Sequence, residues 1–249
     1  MIKNLFQLPF LKFFMIPKRK LAIFLLVVLT GVLYWFYTGQ FIDSGNNLES
    51  FVVERVIDGD TVVLNDSSKV RMLGINTPES KMLLYEDARD FLEGLVLNRT
   101  ILLDRGEKDR YGRVLGYIFI GGNNVNELIL ENGFGNLYYY GADEYYKNMK
   151  AAEGRAREAE KGIWKRSSNY GCLGIEEFIW LDETEKDSER LVLKNSCGSF
   201  DVVIKDDATH IYKEQIDSVL VLETKDIWND DGDSLYVWDD NGLVLFERY

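Results

Sequence analysis

From residue 51 onward the chain alternates short apolar, β-branched runs with turn dipeptides, a pattern of strands rather than of long helices. Residues 53–57 and 61–64 are two such runs around Asp58-Gly59-Asp60, where glycine accepts positive φ and aspartate bonds its own backbone. Residues 70–74 form a third, closed by Asn76-Thr77-Pro78-Glu79, since Pro78 cannot continue a ladder. Residues 100–103 and 114–120 read as further strands. Three segments carry helical spacing instead. Residues 84–97 place Leu84, Ala88, Phe91, Leu92 and Leu95 on one side; residues 124–131 stop at Asn132-Gly133; residues 142–160 carry the mixed charges of a solvated face. In the last third, 191–193, 200–204, 218–222, 235–238 and 243–246 are short apolar strands, parted by turns such as Asp231-Gly232-Asp233 and Asn241-Gly242. That spacing predicts a β-sandwich over 167–249.

The N-terminus departs from this pattern. Residues 21–37, LAIFLLVVLTGVLYWFY, hold no charge, and about 17–25 apolar residues suffice to span a bilayer. Lys18-Arg19-Lys20 precede the run and favour a cytoplasmic N-terminus over residues 1–20. No small-x-small cleavage site follows it directly, so an uncleaved signal anchor is expected over a cleaved signal peptide. Residues 38–50, with Gly, Asn and Ser, read as a linker to a domain over 51–166 exposed outside the membrane.

Charge is divided unevenly. The net of −12 comes from the last third, where residues 167–249 hold seven Lys/Arg against twenty Asp/Glu. Residues 51–166 are near neutral, with seventeen against nineteen. Nucleic-acid binders usually draw affinity from basic patches, so tight nonspecific binding is not expected, and the acidic tail repels such a partner. The single histidine, His210, lies far from every chemical motif, which excludes histidine-dependent phosphodiester chemistry from residues 51–166. The two cysteines, Cys172 and Cys197, cannot build a four-cysteine zinc site. A disulfide between them is expected outside the cytoplasm.

The informative residues cluster in VIDGDTVVLNDSSKVRMLGINTPE, residues 56–79, and in DRYGR, residues 109–113. Asp60 follows the turn glycine, where turn chemistry needs no second carboxylate. Carboxylate, amide and carbonyl oxygens suit a hard cation, and the planar forks of Arg71 and Arg113 match phosphate oxygens. A surface arginine in a Tyr-Gly-Arg turn is the plain alternative for Arg113. Asp230, Asp231 and Asp233 lack the spacing and terminal glutamate of an EF-hand and read as a turn. His210 reads as a structural or surface residue.

IDGDTV, VRMLGINTPE, DRYGR, NVNELILENG and EKGIW occur in that order between residues 51 and 164, and this region resembles the thermonuclease (staphylococcal-nuclease-like) family. The resemblance implies a mainly β fold with α: an OB-type five-stranded barrel plus three helices, hydrolysing DNA and RNA with Ca²⁺. It implies Asp60, Asn76 and the Thr77 carbonyl as calcium ligands. It further implies Glu79 as general base, and Arg71 and Arg113 on the phosphate, Arg113 also assisting the leaving oxygen. Tyr111 and Tyr139 are candidates for substrate contact, with packing the alternative; Tyr138 and Tyr140 read as packed. Asn76 stands where the family's usual second carboxylate stands, which predicts weaker calcium binding. The segment IWNDDGDSLYVWDDNGLVLFERY, with HIY at 210–212 and the LVLKN strand, resembles the lamin-tail domain, an immunoglobulin-like sandwich. Two other readings remain at this stage: a catalytically weakened binding or scaffold module, and a surface protein whose tail is the working part. Deletion of residues 167–249 is expected to leave an active barrel if the enzyme reading is right.

Overall fold

In a computed structural model of the chain, residues 30, 48–139, 143–179, 189–225, 227–228 and 232–249 are described. The proposed membrane segment 21–37 (Thr30 apart), the start of the helix expected over 142–160, Tyr140, Asp230 and Asp231 lie outside the described residues. No helix among the described residues is long and apolar enough to cross a membrane.

Alternating burial builds the first sheet. Strands β1 (Leu48–Asp58), β2 (Thr61–Leu64) and β3 (Lys69–Met72) form consecutive antiparallel hairpins. β1 begins at Leu48, inside the segment read as linker. A two-residue β4 (Ile75–Asn76) follows. Helix α1 (Tyr85–Val96) lays Ala88, Leu92 and Val96 on the barrel; Leu84, expected inside it, is its N-cap at φ 66°. Strands β5 (Thr100–Lys108) and β6 (Val114–Ile120) form the next hairpin, and β7 (Asn123–Asn124) leads into α2 (Val125–Glu131). Asn124 caps α2 by accepting from the Glu127 N–H at 3.3 Å. The barrel closes because β1 pairs with β5 and β3 runs parallel to β6, giving the cycle β1-β2-β3-β6-β5. Its core includes Val53, Val62, Leu64, Val70, Met72, Ile101, Leu103 and Ile118, covered by Leu92, Ile129 and Met149. Strand β8 (Asn136–Leu137) pairs with β4, and α3 (Tyr146–Glu158) completes the three helices.

The C-terminal strands form two sheets around one core. β9 (Leu173–Ile179), β10 (Glu189–Asn195) and β13 (Val219–Thr224) make one, in the order β13-β10-β9. β11 (Phe200–Lys205), β12 (Ile211–Ile216), β14 (Ser234–Asp239) and β15 (Gly242–Arg248) make the other, in the order β12-β11-β14-β15. Leu191, Leu193 and Leu222 from the first meet Val202, Ile204, Leu235, Val237 and Val244 from the second. A disulfide joins Cys172 and Cys197, with Cα atoms 5.5 Å apart. Their replacement by serine is expected to lower stability by roughly 3 kcal/mol, since the bridge closes a loop of moderate length in the unfolded chain. A denaturant titration of the double variant checks this.

Residues 47–249 form one unit, and the reason is chemical. Trp164, Ile163 and Ala156 share a core with Tyr236, Trp238 and Leu243. The Trp238 Nε1–H donates to the Ile163 carbonyl at 2.9 Å, and Tyr236 stacks on Trp238 at 5.0 Å between ring centres. The buried Glu153 of α3 accepts from Arg248 of β15 at 2.6 Å. Gly242, at φ +146°, lies so close to the Lys165 carbonyl that a Cβ would stand 2.3 Å from that oxygen, so a side chain there would part the two halves.

Candidate functional site

The β1–β2 turn delivers the first group. Asp58 Oδ1 accepts from the Asp60 N–H at 3.1 Å and fixes the turn. Gly59 admits the approach of Thr77, whose Oγ1 would lie 2.8 Å from a Cβ there. Asp60 is buried, and its carboxylate takes four donors. Oδ1 accepts from Thr61 Oγ1 at 3.0 Å and pairs with Arg71 Nε at 3.1 Å. Oδ2 accepts from the Thr77 N–H at 3.2 Å and from Thr77 Oγ1 at 3.0 Å. Burial, and then the neighbouring Asp60 carboxylate, push the Asp58 carboxyl up to about 6.

Arg71 stands opposite Thr61 on β3. Each nitrogen of its guanidinium has a protein acceptor, with Nη1 on the Met72 carbonyl, Nε on Asp60 and Nη2 on Asn76 Oδ1 at 3.1 Å. Asn76 is buried on β4, next to β8. Its amide Nδ2–H₂ donates to two main-chain carbonyls of the C-terminal half, Asp207 at 3.2 Å and Ala208. The structure thus brings Asp60, Arg71, Asn76 and Thr77 into one hydrogen-bonded group.

Glu79 follows the buried Pro78, and its carbonyl accepts from the Met82 N–H at 2.9 Å. Among the described residues its carboxylate has no hydrogen-bond or ion-pair partner. Arg113 makes no bond to the group. It precedes the β3–β6 pairing at Val70 and Val114, which sets it beside the strand that carries Arg71. Its Nε donates to Asp109 Oδ2 at 2.7 Å, and its side chain is 31% exposed. Burial raises the Asp109 carboxyl, but the bonds from Arg113 and Tyr111 outweigh it and hold it below its ordinary value. Tyr111 is 68% exposed and lies under Arg113 at 5.6 Å. Tyr139 is tied inward: its hydroxyl meets that of Tyr117 at 2.8 Å, and its ring packs on Tyr146. Burial first, and then Asp143, push the Tyr139 hydroxyl up to about 12.

The donors around Asp60 are hard oxygens, the chemistry calcium takes. The group holds one carboxylate, and Arg71 occupies the facing oxygens of both Asp60 and Asn76. No cluster of three or more His, Cys, Asp or Glu suited to a metal occurs among the described residues. As it stands, the set offers a hard cation the side-chain oxygens of Asp60 and Asn76, and Arg71 holds one oxygen of each.

Sequence reasoning missed the contribution of the C-terminal half. Lys205, Asp207 and Ala208 border the group, and Asn136 of β8 joins them by donating from Nδ2 to Asp207 Oδ1 at 3.2 Å. No local pattern signals this contact: an –NH₂ at position 76 needs acceptors, and the structure shows that the tail supplies two.

A closed five-stranded barrel of OB type, with buried oxygen donors and an arginine at one end, defines a class of small β-barrel proteins. Residues 69–166 match the family described as staphylococcal nuclease homologue. The chain is 30% identical over 153 residues to the thermonuclease of Staphylococcus hyicus, covering 55% of this chain and 90% of that protein. It is 31% identical over 130 residues to the thermonuclease of Staphylococcus intermedius, covering 47% and 77%. An uncharacterized endonuclease of Escherichia coli is 32% identical over 117 residues, covering 45% and 74%. The chain belongs to the staphylococcal nuclease (thermonuclease) family.

Asn76→Asp separates two roles of this side chain. The added charge is expected to raise the apparent affinity for calcium. The carboxylate would also face two carbonyl oxygens with no proton to give, at a cost of about 1–3 kcal/mol without metal. Calcium titration of activity reads the first effect, and a thermal melt in chelator reads the second. An unchanged calcium dependence would remove Asn76 from the ligand set.

Proposed function

We propose that this chain is a calcium-dependent nuclease that hydrolyses phosphodiester bonds of DNA and RNA at the P–O5′ bond, leaving 3′-phosphate ends. The observation that carries the reading is the bonded group of Asp60, Arg71, Asn76 and Thr77 with an uncommitted Glu79 three residues from Asn76. Asp60, Asn76 and the Thr77 carbonyl would hold the calcium, which would supply polarisation of the phosphoryl oxygen. Glu79 accepts a proton from the attacking water. Arg71 turns from its protein acceptors to the phosphate, and Arg113, from the turn before β6, stabilises the charge that develops on the equatorial and leaving oxygens. Incubation of end-labelled DNA and RNA oligonucleotides with calcium tests the reading. Products bearing 3′-phosphates support it, and 5′-phosphate products would refute the bond assignment.

The alternative is a catalytically weakened nucleic-acid-binding or scaffold module. It is favoured by the saturated hydrogen bonding of Asp60 and Asn76, and absence of cleavage in the same assay would select it. We further propose that residues 21–37 anchor the chain with its catalytic part outside the membrane, and that the two C-terminal sheets are an immunoglobulin-like, lamin-tail-type sandwich. Protease accessibility of residues 51–249 in intact cells tests the anchor.

A further inference from the structure

The C-terminal half places a buried cation beside the nuclease group. Lys205, at the end of β11, is 2% exposed. Among the described residues its ammonium makes one hydrogen bond, to the Asp206 carbonyl at 2.9 Å, and no carboxylate lies within ion-pair distance. A buried ammonium with so few partners is costly unless an anion comes to it. Burial pushes this group below its ordinary value, against the pull of Asp206, Asp207, Glu79 and Asp233. Glu79 is thus close enough to be felt.

Lys205 lines a cavity of about 430 Å³ together with Asn76 and Thr77 of the barrel. That volume falls in the range of small-ligand pockets, about 300–1,000 Å³. The exposed Lys213, paired across from Val203, stands on the same wall. Trp238, paired with Val203 from the other neighbouring strand, stands on that wall too, held by its stack on Tyr236 and its bond to Ile163. Lys81 lines the cavity as well, and Asp201, Glu214, Asp239 and Asp240 share it, so it suits one phosphate rather than a run of them.

We infer that this cavity is a nucleotide subsite built jointly by the barrel and the tail, with Lys205 on the phosphate next to the scissile one and the base against Trp238. The placing of this phosphate beside a scissile one rests on the nuclease reading. The binding itself does not. Acidic though it is overall, the tail then contributes affinity at one point: it adds a basic side chain beside the arginines of the near-neutral barrel.

The test is calorimetric titration of adenosine 5′-monophosphate, and of adenosine as control, into the full chain in chelator. An Arg113→Ala background removes the arginine proposed for the scissile phosphate. Lys205→Met is expected to weaken the monophosphate by roughly tenfold or more, the scale of a charge-assisted bond, and to leave adenosine unchanged. Lys213→Glu, a surface change, is expected to weaken it several-fold. A folded Lys205→Met that binds the monophosphate like its parent overturns the subsite. If Lys205→Met does not fold, unchanged affinity in Lys213→Glu overturns it. Failure of the wild-type chain to cleave nucleic acid would refute the nuclease reading and leave this binding result standing.

Discussion

A chain ending at residue 166 is expected not to hold a stable fold, so the isolated barrel will not report on activity. The half that would be removed covers Trp164 and Ile163, which are 2% and 7% exposed with the tail in place. Uncovering these two side chains costs about 3–6 kcal/mol, taking roughly 1.5–3 for each large apolar group. Total stabilities of such proteins are about 5–15 kcal/mol. The loss also strips Arg248 from Glu153, whose other bond is to the Leu137 N–H at 2.8 Å, next to β4 and the nuclease group. A point variant isolates that term. Arg248→Met leaves the Glu153 carboxylate buried without its cation, which costs about 3–5 kcal/mol. Thermal melts of residues 47–166, of Arg248→Met and of the parent check both. A truncated barrel melting near the parent would show that the shared core is dispensable. An active, separable barrel and an unstable one are thus told apart by the melt of the truncated chain, and the mutual burial of the two halves favours the second.

Arg113→Ala is expected to lower kcat by about 10²–10³-fold, the scale of removing one preorganised donor from a developing oxyanion. It should do so at almost no cost in stability. Arg113 is part-exposed, and its pair with Asp109 is a surface ion pair worth about 0–1 kcal/mol. Arg71 offers no such clean separation. Its guanidinium satisfies Asp60, Asn76 and the Met72 carbonyl at once, so its removal orphans buried acceptors. Matched melts with a collapsed kcat are the expected result for Arg113→Ala. Equal loss of melting temperature and rate would make it a structural residue.

The barrel strands are legible because one face of each is buried. Val62 and Leu64, and Val70 and Met72, alternate inward as a two-residue period requires. The helical segment at 84–97 is legible for the same reason. The centre of its inner face is Ala88, Leu92 and Val96, with Phe91 and Leu95 packed on the core at its margin and partly covered. Strands β9 and β12 were not legible. Each is the edge of its sheet, and sequences such as LGIEEFI and IYKEQI carry the charges that blunt an edge. Conversely β14, SLYVWD, is buried throughout, because its residues divide between the sandwich core and the core shared with Trp164. Asp60, Arg71, Asn76 and Thr77 could be named from local motifs and do meet. The bonds from Asn76 to residues more than 130 positions away could not, since no local pattern encodes a contact made by docking two halves.

The most direct measurement is nicking of supercoiled plasmid by the full chain, in millimolar calcium and in excess chelator, beside Arg113→Ala. The expected result is cleavage that needs calcium and falls about 10²–10³-fold in the variant. Cleavage indifferent to chelator, or equally fast without the arginine, would contradict a site in which an oxygen-bound cation and a guanidinium act on one phosphate.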